Sequence, residues 1–580
     1  MHRRWLVNRT NQDYIDYLSR AASISPLLSQ ILINRGIKTP EAADSFLRSD
    51  VSNLSNPFDM AGMDRAVHRI LAAAKKGERI LVHGDYDADG ISATVILVKA
   101  LRLSGVDCSY FIPDRMEHGY GFKPQAVQYA KKVGATLIVT VDCGITSFEA
   151  AALCRKEGID VVITDHHEPV KSVGHGAKGA SDSSLSAHGA PLLPEAVAVI
   201  NPKISDPLSP VWNLSGAGVA LKLIQALAMN GARFAVHDFF DLAALGTAGD
   251  VVPLSGENRL VVKEGLKRMA DGSCIGIKAL RQVSGTAGKE LKSGHLLFAL
   301  IPRMNAAGRI SNAGDVVRLF LTDSENEAFD LSTWLDRCNA ERQRIEEEVY
   351  QEALQQLTGK GVRPVIVLSS EGWHKGVVGI VASRIVETFY RPTVILSIEG
   401  NSARGSARSI PSFDIHHALA ECRMHLTGFG GHRQAAGLEL ESRNIAAFEE
   451  CINEFAEARL SPEDFIPVLE IDAAVDLADI TFSLTREFEL LEPFGYGNPE
   501  PLLGTRGVEV LSPRIVKDVH LKMKLRQKNL SLDAIGFDMA SSYQRIQTAP
   551  VVDAAFTPCV NVWEGRTNLQ LRLKALRPGV

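Results

Sequence analysis

RILVHGDYDADG, residues 79–90, decides the fold. Its first five residues read as a short apolar strand, and at the strand's carboxyl end His83, Asp85, Asp87 and Asp89 offer four potential metal ligands before Gly90. So many costly polar groups are not structural filler. The rival reading is an EF-hand calcium loop, whose first, third, fifth and sixth positions Asp85, Asp87, Asp89 and Gly90 imitate. Its twelfth position falls on Ile96 rather than glutamate, and a strand stands where a helix should precede the loop. The calcium reading fails.

Outward from this stretch, Val/Ile/Leu runs alternate with helical stretches: DCSYFIP, ATLIVTV, DVVIT and AVAVIN. Continuous apolar strands separated by helices predict a parallel sheet buried on both faces, a doubly wound α/β domain. ATLIVTV ends at Asp142 and DVVIT at Asp165, His166 and His167. Ligands of open α/β sheets bind outside the carboxyl ends of the strands, so these residues are expected in one crevice. Asp250, alone among apolar neighbours in ALGTAGDVVPL, is a further expected ligand rather than a helix cap. Mixed Asp and His ligands suit Mn²⁺ or Mg²⁺, in number enough for two ions. Such a pair activates water and stabilises the leaving oxygen at phosphorus, so phosphodiester or phosphoanhydride hydrolysis is the natural chemistry.

Composition agrees with a multidomain globular chain. It has 580 residues, 45% hydrophobic and 23% charged, and a net charge of -5 that argues against coating nucleic acid by global charge. The eight cysteines form no CxxC pair, which points to reduced thiols and a cytoplasmic address. No apolar run is long enough to span a bilayer, so no membrane partner is expected. The expected division is a helical arm at 1–64, the α/β core at 65–322, a connecting helix at 323–360, a mixed α/β domain at 361–460 and a small β-barrel at 461–580. Residues 171–190, KSVGHGAKGASDSSLSAHGA, read as a flexible surface insertion.

DYDADG, VDCG, TDHH and AGDVVPL resemble the DHH phosphoesterase superfamily. RMNAAGR (303–309), WHKGVVGIVASR (373–384), GSARS (405–409), GFGGHRQAAG (428–437) and LEPFGYGNPEP (491–501) narrow the resemblance to the RecJ family over nearly the whole chain. It implies a DHH core, a long helix, a DHH-associated domain and an OB-fold around an opening that admits one strand. It also implies 5′-to-3′ digestion of single-stranded DNA to nucleotide monophosphates in recombination and repair, with Mn²⁺ or Mg²⁺. Asp85, Asp87, Asp89, Asp142, His166 and Asp250 match the family's metal motifs. Either His83 is a ligand or Asp85 takes its place; His167 is a ligand or contacts the scissile phosphate. A monomer is expected, with a single-stranded-DNA-binding protein and a RecQ-type helicase as partners by resemblance.

Residues to hold a strand are sought outside the metal motifs. Ser406 and Arg408, with the glycine-rich turn at Gly430, Gly431 and His432, suit phosphates, the turn's amides as an anion nest and Arg408 as a bidentate fork. The resemblance adds Arg303, Asn305 and Arg309 of RMNAAGR, with Arg115 and Arg309 near a 5′-phosphate; a surface ion pair is the lesser alternative for each arginine. Trp373 or His374 can stack on a base, unless Trp373 is a core residue. In HLKMKLR, Lys522, Lys524 and Arg526 alternate with Leu521, Met523 and Leu525, a basic stripe that tracks a backbone or protects a solvated edge strand. A phosphodiesterase of short oligonucleotides or cyclic dinucleotides is the alternative enzyme, and a non-catalytic strand-binding scaffold the alternative outside enzymes.

Overall fold

The structure, a computed structural model, describes residues 3–115, 119–171, 191–270, 272, 274–548, 550–563 and 565–579. The expected insertion at 171–190 lies outside them apart from Lys171. Its flanks pair, Val170–Lys171 running antiparallel to Pro191–Leu192. The chain divides into two units: Met1–Leu6, Arg309–Ser311 and Arg337–Glu470 form one, and Val7–Gly308, Asn312–Asp336 and Ile471–Val580 the other.

The larger unit holds a parallel sheet in the order Cys108–Phe111, Arg79–Gly84, Ala135–Val141, Asp160–Thr164, Ala198–Ile200. Strand alternation sends Ile80, Val82, Leu137 and Val139 into one core and Leu81, Ile138, Val161 and Ile163 into another. The first core is completed by the helices Ala88–Leu103, Gly216–Met229 and Phe240–Gly249, the second by Pro124–Val133 and Phe148–Lys156. Numbered by chain position the order is 2-1-3-4-5, so the sheet reverses direction between Arg79–Gly84 and Ala135–Val141. The crevice at such a switch is where this architecture binds ligands.

The same unit contains a closed barrel of Leu503–Val516, His520–Gln527, Leu530–Gly536, Arg566–Pro578 and Val551–Trp563, the last pairing back onto the first. The amino-terminal helices Gln12–Ala22, Pro26–Asn34 and Pro40–Arg48 share one core with it: Leu18, Leu28, Ile31 and Leu32 cluster with Leu521, Leu525 and Phe556. Gln30 and Asn34 donate side-chain hydrogen bonds to the Asp472 carbonyl. LEPFGYGNPEP, ahead of the barrel, meets the loop after Asp250, where Leu254 N donates to the Tyr496 carbonyl (2.8 Å). A Cβ on Gly495 would lie 2.5 Å from Leu254 Cδ1 and one on Gly497 2.9 Å from Pro253 Cβ, which is why glycines stand there.

In the smaller unit the five-stranded sheet runs Gly428–His432, Ala435–Glu441, Ser402–Arg408, Thr393–Glu399, Ile366–Glu371. Only Thr393–Glu399 and Ile366–Glu371 are parallel neighbours; the other pairs are antiparallel. The helix Glu325–Lys360 covers 36 residues, the smaller unit taking it up from Arg337.

Because arm and barrel share a core, Leu32→Ala is expected to destabilise both by about 2–5 kcal/mol. Hydrogen exchange should show barrel amides exposed along with those of the arm; loss of protection confined to the arm would contradict the shared core.

Candidate metal centre

Three strand ends build the site. After Arg79–Gly84, Asp87 caps the helix Ala88–Leu103, accepting from the amides of Asp89 (3.0 Å) and Gly90 (3.1 Å). Asn305 Oδ1 takes the Ala88 amide (2.8 Å), so three amides of that first turn are tied down. Gly90 is required, since a Cβ there would stand 2.6 Å from Asp85 N. Asp89 is held by the amides of Gly216 (2.6 Å) and Ala217 (2.9 Å), at the start of the helix Gly216–Met229. After Ala135–Val141, Asp142 sits in the left-handed region at φ 60°. Non-glycine residues enter that region rarely, and functional sites collect them.

After Asp160–Thr164 comes His166, whose Nε2 lies 3.1 Å from Asp142 Oδ1, 3.6 Å from Asp250 Oδ2 and 3.8 Å from Asp89 Oδ2. Three sets have ligand atoms within 4.8 Å of one another: Asp85, Asp87 and Asp142; Asp89, His166 and Asp250; Asp142, His166 and His167. Asp142 belongs to two of them. Its Oδ1, Asp85 Oδ1 and Asp250 Oδ2 are buried without a hydrogen-bond partner among the described residues. Burial first, then neighbouring acids, pushes the carboxyls of Asp85, Asp89 and Asp142 well above the usual range. Oxygen-rich sets with unpaired buried oxygens fit hard or borderline divalent cations.

Asp165 reaches the same crevice in a different role. Instead of joining a ligand set it accepts from the amides of Ile145 (2.9 Å), His166 (2.7 Å) and His167 (3.1 Å) and lies 2.7 Å from His167 Nδ1. Although burial opposes it, the His167 hydrogen bond holds the Asp165 carboxyl below its usual value. The same contact overcomes burial at His167 and lifts it to about 9. The Tyr120 hydroxyl lies 3.0 Å from His167 Nδ1.

Of the two alternatives left open at His83, Asp85 enters a ligand set and His83 enters none among the described residues. It shares strand parity with Leu81, so its ring turns into the second core between Phe111 and Phe122, at centroid distances of 5.6 and 5.3 Å. Burial lowers its pKa to about 4, leaving the ring neutral.

Of the expected strand-binding residues, several are occupied otherwise. Arg303 pairs with Asp336 (2.7 Å) and the Ala299 carbonyl (2.6 Å), and Asn305 braces the metal loop. Trp373 is 3% exposed and donates its indole N–H to Glu352 (2.7 Å), so it is a core residue and offers no stacking face. Gly430 and Gly431 lie in the edge strand Gly428–His432 rather than in a turn, which removes the amide nest; Gly431, at φ 141°, leaves no room for a Cβ beside the Ala435 carbonyl. His432 Nδ1 accepts from Gln434 N (3.3 Å), and His374 Nδ1 from Gly376 N (3.0 Å). Arg309 donates to the Gly376 carbonyl (2.9 Å). Arg408 donates to Ser406 Oγ (2.7 Å), coupling the two GSARS side chains. Arg115 lies over the Tyr86 ring at 5.0 Å, and its charge acts on Asp85. On the barrel, Lys522, Lys524 and Arg526 alternate with buried Leu521, Met523 and Leu525 as expected, but Arg526 pairs with Glu509 (2.8 Å) and Lys524 lies 4.0 Å from Asp533.

The sequence reading missed Tyr120, whose signal was the flanking glycines of HGYG, and the small residues that make room for the acids. A Cβ on Gly216 would lie 2.5 Å from Asp142 Cβ, and one on Gly246 2.6 Å from Asp89 Oδ1.

A 2-1-3-4-5 parallel sheet delivering these acids and His166 to its switch point defines a phosphoesterase core of the DHH class, and residues 79–247 match the DHH family N-terminal domain. Residues 363–458 match the DHHA1 domain and 471–575 the RecJ OB domain. The chain belongs to the RecJ family. It is 36% identical over 576 residues to the single-stranded-DNA-specific exonuclease RecJ of Bacillus subtilis (98% of this chain, 70% of the relative). To RecJ of Escherichia coli K12 it is 33% identical, covering 96% of each chain. The crystal structure of RecJ in complex with Mn²⁺ from Thermus thermophilus superimposes with a TM-score of 0.83 at 31% identity, covering 99% of this chain and 79% of that one. The corresponding Mg²⁺ complex gives a TM-score of 0.77 at 29% identity, covering 99% and 78%.

Gly216→Ala is expected to leave a folded protein that loses at least ~10-fold in Mn²⁺ affinity, because the new methyl displaces Asp142 from both sets it joins. Titration calorimetry with Mn²⁺ measures this; wild-type affinity in a folded variant would mean that Asp142 does not need its present position.

Proposed function

We propose that this chain is a metal-dependent exonuclease that degrades single-stranded DNA from the 5′ end and releases nucleoside 5′-monophosphates. The observation that carries the reading is the two adjacent ligand sets, Asp85 with Asp87 and Asp142 and Asp89 with His166 and Asp250, linked where His166 Nε2 lies 3.1 Å from Asp142 Oδ1, with buried carboxylate oxygens that accept no hydrogen bond among the described residues. In this reading Asp85, Asp87 and Asp142 would hold one ion and Asp89, His166 and Asp250 a second, Asp142 joining the two sets through its contact with His166. Mn²⁺ or Mg²⁺ bound there supplies Lewis acidity at a phosphoryl oxygen and lowers the pKa of a bound water.

The chain's own groups do the rest. Asn305 and the Asp87 cap keep the carboxylate loop rigid, so little reorganisation accompanies reaction. His167, kept protonated by Asp165, presents an N–H to a phosphate oxygen at the mouth of the site. In this reading Arg115 meets the 5′-terminal phosphate, and Ser406, Arg408 and His432 contact the strand. Lys522, Lys524 and Arg526 follow its backbone along the barrel. The reading extends to a monomeric cytoplasmic enzyme of recombination and repair, working beside a single-stranded-DNA-binding protein and a RecQ-type helicase.

With end-labelled single strands and Mn²⁺, a 5′ label is expected to appear at once as mononucleotide while a 3′ label stays on shortening strands; the reverse order would overturn the polarity. Chelation should abolish the reaction and added Mn²⁺ restore it. Asp142→Ala should reduce turnover by at least ~10³-fold with unchanged circular dichroism, since a lost bridge disrupts both ion positions. Near-normal turnover in the folded variant would sink the assignment.

Lys522→Ala with Lys524→Ala should weaken binding of long strands and reduce the log–log salt slope by about 1.4, or ~0.7 per lost phosphate contact. Dinucleotide hydrolysis should be unchanged. An unaltered slope would make the stripe a solvated edge.

A further inference from the structure

At the junction of the helical arm, the α/β core and the loop ahead of the barrel lies a cavity of about 340 Å³, away from every residue of the metal sets. Arg35 and Arg259 line it. Arg259 is 1% exposed, and its guanidinium donates to three carbonyls, those of Phe46 (2.5 Å), Leu490 (2.8 Å) and Glu492 (2.7 Å). Arg35 donates to Asn498 Oδ1 and to the Pro499 carbonyl (2.6 Å). The Nε atoms of both are buried with no hydrogen-bond partner among the described residues.

Neither guanidinium has a carboxylate within ion-pair distance among the described residues. The one acid lining the cavity, Glu257, is engaged 2.6 Å from Lys222 Nζ. Asp472 acts on Arg35 only at longer range. Arg35 in turn opposes the charge of Arg259, which burial already lowers to about 10. A buried and a half-buried like charge, each with an idle Nε donor and Arg259 resting on the Phe46 ring at 4.2 Å, lack a carboxylate partner, whereas buried charges are normally paired. The 15-residue helix Gly256–Ala270 begins at the cavity wall and adds the positive end of its dipole. Beside the cations the wall mixes apolar Ile37, Phe46, Pro210 and Leu260 with polar Ser45, Ser49 and Asn53.

We propose that this cavity binds a nucleoside 5′-monophosphate, its phosphate at Arg35 and Arg259 and its base against Ile37 and Leu260. The volume lies at the lower end of the ~300–1,000 Å³ range of small-molecule pockets, which suits one nucleotide and excludes a strand. Under the exonuclease reading the ligand is the reaction's own product, and on that reading alone rests the description of the cavity as a product site; binding itself does not depend on it. An occupant touching arm, core and barrel loop ties the three together.

The test is calorimetry of the full chain with deoxyadenosine 5′-monophosphate in EDTA, which keeps metal-bound nucleotide out of the count. One equivalent is expected to bind wild type and Asp142→Ala alike. Arg259→Ala is a poor probe because it frees three carbonyls. Ser45→Glu, on an exposed position lining the cavity, adds a competing carboxylate and should weaken binding at least ~10-fold while leaving hydrolysis of single strands and the unfolding temperature unchanged. No binding at millimolar nucleotide overturns the site. So does binding that Asp142→Ala removes and Ser45→Glu spares. Equal affinity for inorganic phosphate or for deoxyadenosine overturns the nucleotide assignment.

Discussion

Mutual repulsion among buried carboxylates is the constraint on which the α/β core depends. Asp85, Asp89 and Asp142 are each at most 3% exposed; Asp87 makes all three harder to ionise, and Asp85 and Asp89 act on Asp142 as well. The fold relieves this unevenly. Asp89 receives two amides from the start of a helix, and the partly exposed Asp87 is neutralised in part by the helix it caps. Asp85, Asp142 and Asp250 each keep a buried oxygen that accepts no hydrogen bond among the described residues. An unsatisfied buried polar group costs about 1–3 kcal/mol, more when charged. Such a set is stable in ionised form only around cations, so metal binding and the stability of the core are linked.

Space for the acids comes from what the neighbouring helices lack. Gly216 and Gly246 let two helices close on Asp142 and Asp89 with no side chain of their own in the way. Further out, Arg259 fastens the arm and the barrel loop to the core through backbone carbonyls. Hydrogen bonds to a charged donor contribute about 1.5–3 kcal/mol each, and their directionality fixes register as apolar packing does not. The loop that follows Asp250 is thus held from the barrel side by Leu254 and Tyr496.

How much of this was legible follows from the range of each interaction. The parallel sheet and its acid-bearing ends were readable because both-face burial writes continuous apolar runs, and the HxDxDxD spacing is local. The parity that turns His83 into the second core was also in the strand, in phase with Leu81, but the ligand spacing masked it. Trp373 shows the opposite limit: its indole partner Glu352 lies on the long helix, and nothing adjacent in sequence marks it as core. The same holds for Arg303 and Asp336. The joint core of Leu32 and Phe556 joins segments more than 500 residues apart, beyond any local pattern. Glycines that exist to leave room are silent in one sequence, since only the neighbour they would strike explains them.

Asp165 and Asp142 show why residue type at a strand end is insufficient to assign a role. Both follow neighbouring strands of one sheet, both are acids, and both are at most 2% exposed. Asp165 meets three backbone amides and a histidine, so its ionised form is favoured without any metal and it serves to orient His167. Asp142 meets acids and His166, with one oxygen unpaired, so its ionised form awaits a cation. Hydrogen-bond donors drive one carboxyl down and like charges drive the other up. The division between a ligand and the group that positions its neighbour is therefore made by the donors each acid finds, and not by its place in the motif.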